Sequence, residues 1–361
     1  MIQKLRLKNF RNIEGKLFEF SDKTTVIIGP NASGKTNILE SLYLLSTGKS
    51  FRARVEEEMV NYDSEVARGK GRLKAEGGVT DLEAVLTRGL LDIGKSSPEK
   101  VARKKLFVNG IAKRLIDFAG NFKVALFGPW DLDLVTESPS LRRRFLDTVL
   151  SQIDREYRRA VLSYERGLRQ RNKLLFRIRE ESLPRGQLLF WDKLLIRNGD
   201  YLTRTREEFV DFINQSPPLD DQIFSVEYDR SAISEARLEQ YADEEVAAAT
   251  TLVGPHRDDI IIKVKGQEGK KRKEYRELAR FGSRGEQRMS VLWLKLAELN
   301  FIEEKSGQRP TLLLDDIFSE LDHKHREVVM KISNKQQTII TTADPHFLAG
   351  YKKVEIIKLG G

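Results

Sequence analysis

The spacing of apolar residues divides the chain into a helical middle and two ends rich in short apolar runs. Between Pro139 and about Asn214, apolar residues recur every three or four positions, which indicates one buried helix face. They are Leu141, Phe145, Val149, Ile153, Tyr157, Val161, Tyr164 and Leu168. Pro217 and Pro218 end the stretch, because proline cannot continue a helix. We therefore predict one long amphipathic ridge.

Short apolar runs outside this ridge have the length of strands. The strongest are Thr24–Ile28, Ile223–Tyr228, Thr311–Asp315 and Gln337–Thr342, with hairpins expected at Lys70–Leu86 and after Lys105–Val108. Asn109-Gly110 is a favoured two-residue hairpin turn. The predicted fold class is α/β. We predict one lobe formed from residues 1–130 and 246–361, and an inserted, mainly helical arm over residues 131–245.

A glycine-rich loop directly follows the first strand and precedes a helical run. In such a loop the backbone amides and the helix N-terminus favour a bound phosphate, so the sequence predicts a nucleoside triphosphate site. Lys35 is expected to reach the β- and γ-phosphates, and the Thr36 hydroxyl to contact Mg²⁺. The predicted nucleotide-binding residues here are Gly29, Pro30, Asn31, Ala32, Ser33, Gly34, Lys35, Thr36 and Asn37.

Two further motifs lie far downstream in the sequence. The apolar strand ending in Asp315 and Asp316 predicts a second Mg²⁺ ligand, Asp315, with Asp316 beside it. The helix start with Ser283, Gly285 and Gln287 predicts another phosphate-binding end. Because a large insertion separates these motifs from the glycine loop, both ends of the chain must fold together.

The order of these motifs, followed by Ser319-Glu320-Leu321-Asp322, resembles the ABC-type ATPase family. The resemblance implies that ATP is the nucleotide and that two ATPs lie in a head-to-tail homodimer, with Ser283 of one subunit acting on the other's ATP. It assigns Asp316, Lys35 and Ser283 to catalysis. Family members usually have Glu at the position of Asp316, so slow hydrolysis is expected. A Gln-containing loop and a switch histidine are missing, although His346 lies nearby.

Other segments resemble the bacterial RecF family of SMC-like ATPases. They are Met1–Asn12, Ser50-Phe51-Arg52, Leu134-Val135, Ser138–Asp147, Gln170-Arg171-Asn172, Leu174-Leu175 and Gly254–Asp259. This resemblance implies DNA repair, replication and the SOS response: an ATP-closed dimer on duplex near single-strand/double-strand junctions, acting with RecR and RecO to load RecA. It implies weak hydrolysis that resets the switch, and a cytoplasmic, nucleoid-associated location. Arg11 is expected to contact the nucleotide as in SMC-like relatives.

Composition changes this picture only modestly. Lys and Arg number 63 against 54 Asp and Glu, a net charge of +9 that favours a polyanionic partner but also fits a solvated surface. The chain has no cysteine and no apolar run that could span a bilayer, so we expect a cytosolic protein without a membrane partner. The DNA-contact candidates are Arg52, Arg54, Lys104, Lys105, Lys270, Lys271, Arg272 and Lys273, with Arg103 and Arg142–Arg144 beside them.

Several alternatives stay open from the residues alone. Arg142–Arg144 lie beside the helical ridge, where consecutive side chains point in different directions, so partial internal pairing is expected. His256 and Arg257 precede a strand and either pack internally or contact nucleotide or DNA. Rival functions are a transporter ATPase subunit, a P-loop kinase and a structural SMC-like protein. The last class requires long heptad arms, and the chain has none.

Overall fold

The computed structural model describes residues 1–75, 77–91, 99–266, 275–319, 321, 323–344 and 354–360. Its strands are β1 Ile2–Phe10, β2 Ile13–Glu19, β3 Thr24–Ile28, β4 Val66–Ala75, β5 Gly78–Thr87, β6 Leu90–Leu91, β7 Glu99–Lys100, β8 Lys104–Val108, β9 Ile111–Lys113, β10 Val124–Phe127, β11 Phe224–Asp229, β12 Asp259–Lys265, β13 Tyr275–Glu277, β14 Thr311–Asp315, β15 Thr338–Thr342 and β16 Val354–Lys358. Its helices are α1 Lys35–Thr47, α2 Leu115–Phe118, α3 Asp133–Thr136, α4 Pro139–Ile153, α5 Arg155–Glu181, α6 Leu189–Asn214, α7 Glu235–Gln240, α8 Ala242–Ala248, α9 Leu278–Phe281, α10 Arg284–Ser306 and α11 His323–Ser333.

The chain forms two compact units. The first unit contains Met1–Pro129 and Ile302–Gly361, and the second unit contains Trp130–Phe301. None of the helices in the described residues is long and apolar enough to cross a membrane.

A parallel sheet forms the centre of the first unit. Within the described ranges its strand order is β10-β14-β15-β3-β16, and every neighbouring pair is parallel. Both neighbours of β3 come from the C-terminal segment, so the two ends of the chain fold together as predicted. Strands β3, β14 and β15 are buried along almost their whole length, as expected for a parallel sheet covered on both faces. Val26, Leu313 and Ile339 are fully buried.

An antiparallel sheet completes the first unit, with strand order β2-β1-β4-β5-β8-β9 among the described residues. Its β1 strand alternates buried Leu5 and Leu7 with exposed charged residues, which is the pattern of a sheet with one solvated face. The predicted turn at Asn109-Gly110 joins β8 to β9, and both residues have positive φ (50° and 78°). This conformation is required by the tight hairpin turn that matches the twist of its strands.

The helical part of the second unit differs from the single predicted ridge. The ridge is interrupted at Asp154, where α4 ends and α5 begins. The Asp154 carboxylate accepts hydrogen bonds from the backbone N–H groups of Glu156 and Tyr157 at 2.8 and 3.1 Å. These bonds cap the start of a new helix. The apolar spacing continues across the boundary, so periodicity alone did not reveal that one helix ends and another begins there.

The second unit also extends further along the chain than the predicted arm over residues 131–245. Strand β11 pairs with β12 along the whole length of β11, from Asp229 opposite Asp259 to Phe224 opposite Val264. This pairing places the segment after residue 246 in the second unit, and the chain returns to the first unit at Ile302. The difference arises because an antiparallel strand partner cannot be read from local periodicity.

Candidate nucleotide-binding site

The glycine loop connects β3 to α1, as its position in the sequence predicts. Ala32 and Gly34 have positive φ values of 65° and 97°, which is the left-handed conformation that glycine adopts most easily. A Cβ atom at Gly29 would lie 2.6 Å from the Ser33 Oγ and 2.7 Å from the carbonyl oxygen of Leu359. The loop is therefore packed too closely at Gly29 for any side chain.

Two side chains of the loop suit a phosphate ligand. The Lys35 ammonium donates to the carbonyl oxygens of Gly29 and Pro30 at 2.7 and 2.9 Å, so its charge lies within the loop. The Ser33 hydroxyl is buried and has no hydrogen-bond partner among the described residues. A buried hydroxyl without a partner is costly, and a phosphate oxygen would satisfy it. The residues present thus fit the polyphosphate of a nucleotide.

The Thr36 hydroxyl and the Asp315 carboxylate meet although they lie 279 residues apart in sequence, with Oγ1 to Oδ1 at 3.0 Å. Thr341 donates a second hydroxyl to the same Asp315 oxygen at 2.6 Å. Burial raises the pKa of Asp315 above its ordinary value, and the hydrogen bonds from Thr341 and Thr36 oppose that effect. A hydroxyl beside a carboxylate is an oxygen donor set that suits Mg²⁺, which keeps several of its waters.

Asp316 follows the end of β14 in a left-handed backbone conformation, with φ of 50°. Its backbone N–H donates to the carbonyl oxygen and the hydroxyl of Thr341, both at 3.1 Å. Non-glycine residues rarely adopt this conformation, and such residues concentrate at functional sites. The two aspartates therefore have different surroundings, with Asp315 buried and only Asp316 partly accessible.

A buried carboxylate below the loop was missed by the sequence analysis. Glu40 on α1 is fully buried and accepts hydrogen bonds from Arg11, Arg52 and Ser50. Burial alone would raise the pKa of Glu40, but the hydrogen bonds from Arg11 and Ser50 and the charge of Arg52 lower it below its ordinary value. The available sequence signal was spacing, because Glu40 lies one helical turn after Thr36.

Ser283, Gly285 and Gln287 lie at the start of α10, where the sequence placed a phosphate-binding end. Ser283 and Glu286 cap the helix reciprocally: the Ser283 N–H and hydroxyl donate to Glu286 at 2.8 and 3.0 Å, and the Glu286 N–H donates to Ser283 Oγ at 3.3 Å. Gln287 is buried and donates to the Leu278 carbonyl oxygen at 3.0 Å. Ser283 and Gly285 are exposed, whereas Gln287 serves the local fold.

The predicted DNA-contact residues fall into different environments. Arg52 pairs with Glu40, and Lys104 pairs with Glu56 at 2.7 Å. Arg54 and Lys105 are exposed. Lys270–Lys273 lie outside the described residues, as does His346.

Residues of the segments Ser138–Asp147 and Gly254–Asp259 make internal contacts in the second unit. Arg142 contacts Asp259 through two hydrogen bonds of 2.6 and 2.9 Å, and Arg143 donates to the Asp258 carbonyl oxygen at 2.7 Å. The predicted internal pairing of this arginine run is thereby confirmed for these two residues. His256 Nδ1 lies 2.9 Å from the Tyr164 hydroxyl. Its Nε2 lies 3.0 Å from the backbone carbonyl oxygen of Thr251.

The short segment after β10 carries a buried charged residue, Asp131. Asp131 forms an ion pair with Lys295 of α10 at 3.1 Å, and Lys295 pairs with Glu298 at the same distance. All three side chains are nearly inaccessible to solvent. This group is built into the second unit.

Comparison with known proteins places the chain in a family. The family model described as RecF/RecN/SMC N terminal domain matches residues 1–359. The DNA replication and repair protein RecF of Herpetosiphon aurantiacus is 36% identical over 386 residues, covering 98% of this chain and 97% of its own. The protein of the same name from Roseiflexus castenholzii is 36% identical, covering 93% and 92%.

Solved structures agree with the sequence comparison. The recombination mediator protein RecF, described as RecF-ATPrS in the RecFOR pathway, is 28% identical and covers 100% of this chain and 96% of its own, with a TM-score of 0.86. The RecF-ATP structure of the same pathway has a TM-score of 0.85. An Smc head domain from Pyrococcus furiosus, 16% identical with a TM-score of 0.52, shares the fold. On the family model and the near-full-length relatives, this chain belongs to the RecF family of DNA replication and repair proteins.

Proposed function

We propose that the protein is an ATP-dependent DNA-binding recombination mediator whose weak ATPase activity serves as a binding switch. The observation that carries the proposal is the contact between Thr36 and Asp315 at the base of a strand–glycine loop–helix unit. This contact brings together, from opposite ends of the chain, the residues that we propose for the two halves of a nucleotide site. The RecF structures described as RecF-ATP and RecF-ATPrS support ATP as the nucleotide.

Each residue of the site receives a role from its position. The residues from Gly29 to Asn37 would hold the polyphosphate, with the Lys35 ammonium balancing its negative charge. Thr36 and Asp315 would hold a Mg²⁺ ion, which when bound would offset charge on the phosphate oxygens. Asp316 would orient the attacking water. Its carboxylate is one methylene shorter than a glutamate, so we expect slow hydrolysis.

The proposal includes an ATP-dependent homodimer. Ser283 and Gly285 are exposed at the start of a long helix, where an opposing subunit's nucleotide could be reached. A helix N-terminus favours bound phosphate because its N–H groups are unpaired and its dipole is positive there. ATP would then join two subunits head to tail, and hydrolysis would separate them.

For DNA, we propose the exposed face of the antiparallel sheet as the contact surface. On this face Lys4 stands opposite Arg72, Arg6 opposite Lys70, and Lys8 opposite Arg68. Like charges directly opposite each other on neighbouring strands destabilise a sheet, and a phosphate backbone relieves that repulsion. The neighbouring strands supply only partial neutralisation, through Glu19, Asp81 and Glu83.

The predicted DNA-contact residue Lys105 belongs to this surface. Arg68 stands opposite Val85 of β5, and Val85 stands opposite Lys105 of β8, so one row of the sheet carries Lys8, Arg68 and Lys105 on its exposed side. Among the residues that the structure describes, Arg6 and Lys8 form no ion pair. The surface therefore keeps positive charge available to a polyanion.

The wider role follows from family membership. We propose action at single-strand/double-strand junctions with RecR and RecO, so that RecA is loaded, within the cytoplasm on the nucleoid. The names recombination mediator protein and RecFOR pathway, given to related structures, support this assignment.

Sedimentation velocity of an Asp316→Asn variant tests the proposed switch, because this variant should bind ATP and hardly cleave it. We expect a monomer that becomes a dimer with Mg²⁺–ATP. Adding Ser283→Arg should abolish the dimer, whereas Ser182→Arg, a matched change at another exposed serine of the second unit, should not. A chain that binds ATP but stays monomeric contradicts the dimer, and a chain that binds no ATP contradicts the nucleotide site itself.

A further inference from the structure

Glu40 is the acceptor for an unusual concentration of donors beside the glycine loop. Its two carboxylate oxygens accept from Arg11 at 2.9 and 2.7 Å, from Arg52 Nε at 3.0 Å and from the Ser50 hydroxyl at 2.5 Å. The carboxylate is completely buried. Thus α1, the end of β1 and the segment after α1 are tied together by one side chain.

Arg11 and Arg52 together carry more positive charge than is needed to neutralise the Glu40 carboxylate. One carboxylate faces two guanidinium groups, and the Arg11 and Arg52 side chains remain 21% and 39% exposed. A buried carboxylate needs only one cation to be neutralised. The surplus positive charge therefore suits an anion that reaches the exposed sides of both arginines.

The backbone of Arg11 is held in a strained conformation, with φ of 53°. Its N–H donates to the Met59 carbonyl oxygen at 3.0 Å, and its own carbonyl oxygen accepts from Asn61 Nδ2 at 2.7 Å. A non-glycine residue in this region costs about 1–3 kcal/mol and persists where its surroundings fix it. These two hydrogen bonds fix the backbone of Arg11, and the backbone sets the direction in which its side chain leaves the chain.

A continuous series of hydrogen bonds joins this group to the glycine loop. Arg52 Nη2 donates to Asn37 Oδ1. Asn37 Nδ2 donates to Asn12 Oδ1 at 2.6 Å, and Asn12 Nδ2 donates to the Ala32 carbonyl oxygen at 3.1 Å. Because Ala32 is part of the loop itself, a displaced Arg52 would also disturb the loop.

We propose that Glu40 is a positioning residue that aims the guanidinium groups of Arg11 and Arg52 at the polyphosphate of ATP. The inference rests on the proposed nucleotide site and adds two things to it. Glu40 and Ser50 determine ATP affinity without touching the nucleotide, and Arg52 serves ATP and not DNA.

The test compares ATP affinity in Glu40→Gln and Ser50→Ala with that of the unaltered chain, using equilibrium binding of a fluorescent ATP analogue. Gln keeps the volume of Glu40 but loses the charge that holds both arginines. We expect roughly 10- to 100-fold weaker ATP binding for Glu40→Gln, as for other residues that orient a binding group. Ser50→Ala removes the hydrogen bond to Glu40 and the two that the hydroxyl accepts from the N–H groups of Arg52 and Ala53. It keeps the charge of Glu40, so it should weaken binding in the same direction by less.

Glu56→Gln is the matched control, because it removes a carboxylate that pairs with a half-buried cation, Lys104. Among the described residues, no hydrogen bond or ion pair joins Glu56 to the glycine loop, Arg11 or Arg52. It should bind ATP normally. If Glu40→Gln does not fold, Ser50→Ala decides. Normal ATP affinity in every folded Glu40 and Ser50 variant, with binding abolished by Lys35→Ala, would overturn the positioning role alone. An unaltered chain that binds no ATP would overturn the proposed function instead.

The assignment of Arg52 has its own readout. Arg52→Gln should weaken ATP binding and leave DNA affinity unchanged when nucleotide is saturating. A loss of DNA affinity under saturating nucleotide, with ATP affinity unchanged, would overturn this assignment and identify Arg52 as a DNA contact.

Discussion

Replacing Asp258 by Asn should destabilise the second unit strongly, because this carboxylate is fully buried. One of its oxygens accepts from Arg206 Nη1 at 2.8 Å and from the Tyr228 hydroxyl, and the other accepts from the Ser231 N–H at 2.7 Å. Arg206 is itself buried, and within the described part of the chain its other ion-pair partner is Asp147 at 2.8 Å. The substitution therefore removes one of two negative charges from a buried arginine.

The expected loss follows from that geometry. Breaking a buried ion pair by removing one partner costs about 3–5 kcal/mol, since the other charge stays buried without compensation. Arg206 keeps Asp147, so we take the lower end, about 3 kcal/mol. This corresponds to roughly a hundred-fold shift in the unfolding equilibrium. Asn preserves the size of the side chain, so loss of packing should contribute little.

Urea unfolding followed by tryptophan fluorescence measures this loss in the right part of the molecule. The three tryptophans of the chain, Trp130, Trp191 and Trp293, all belong to the second unit. The control is Asp259→Asn, because Asp259 pairs with Arg142 but its side chain remains 20% exposed. Solvent weakens such a pair, and we expect a loss of about 1 kcal/mol. Equal losses in the two variants, or less than about 1 kcal/mol for Asp258→Asn, would refute the buried-charge argument.

Two further predictions concern charge. Burial lowers the pKa of His256 from 6.5 to about 4, so the imidazole is neutral in the folded chain near pH 7. The free energy of unfolding should therefore be highest above pH 6.5. It should fall by about 3 kcal/mol as the pH drops from 6.5 toward 4, because the unfolded chain binds the proton more readily. An NMR titration of this histidine with a midpoint near 6.5 would contradict the assignment. On the sheet face, Arg6→Glu with Lys70→Glu should weaken DNA binding and reduce the salt slope by about two. The same charge reversal at exposed Lys335 should not, and an unchanged slope in the double variant would exclude this face.

The strand–loop–helix unit of the proposed nucleotide site could be predicted closely because its signals are local. A short apolar run, a glycine loop and a helix follow one another from Thr24 to Thr47, and each step is determined by neighbouring residues. The same holds for the Asn109-Gly110 turn, where two adjacent residues determine the backbone. The meeting of Thr36 with Asp315 is not local, and only the recognised order of motifs predicted it.

The break at Asp154 shows a different limit. The apolar spacing continues through this position unchanged, because α4 and α5 each bury an apolar face with residues three or four positions apart. A signal was present, because Asp followed two residues later by Glu156 is typical of a helix start. Periodicity therefore predicts where helices lie more reliably than where one helix ends and the next begins.

Charge was the least predictable property, because a sequence does not distinguish a paired charge from a free one. Arg52 was predicted to contact DNA, but its guanidinium group is paired with the buried carboxylate of Glu40. The lysines and arginines of β1 and β4 instead alternate with apolar residues or glycine, which is the pattern of ordinary amphipathic strands. Only the register of the two strands brings Arg6 opposite Lys70, and that register is a tertiary property. Repulsion between basic side chains on opposite strands exists only once the sheet has formed. A positively charged surface of this kind must therefore be sought in cross-strand pairs, and not in runs of charge along the chain.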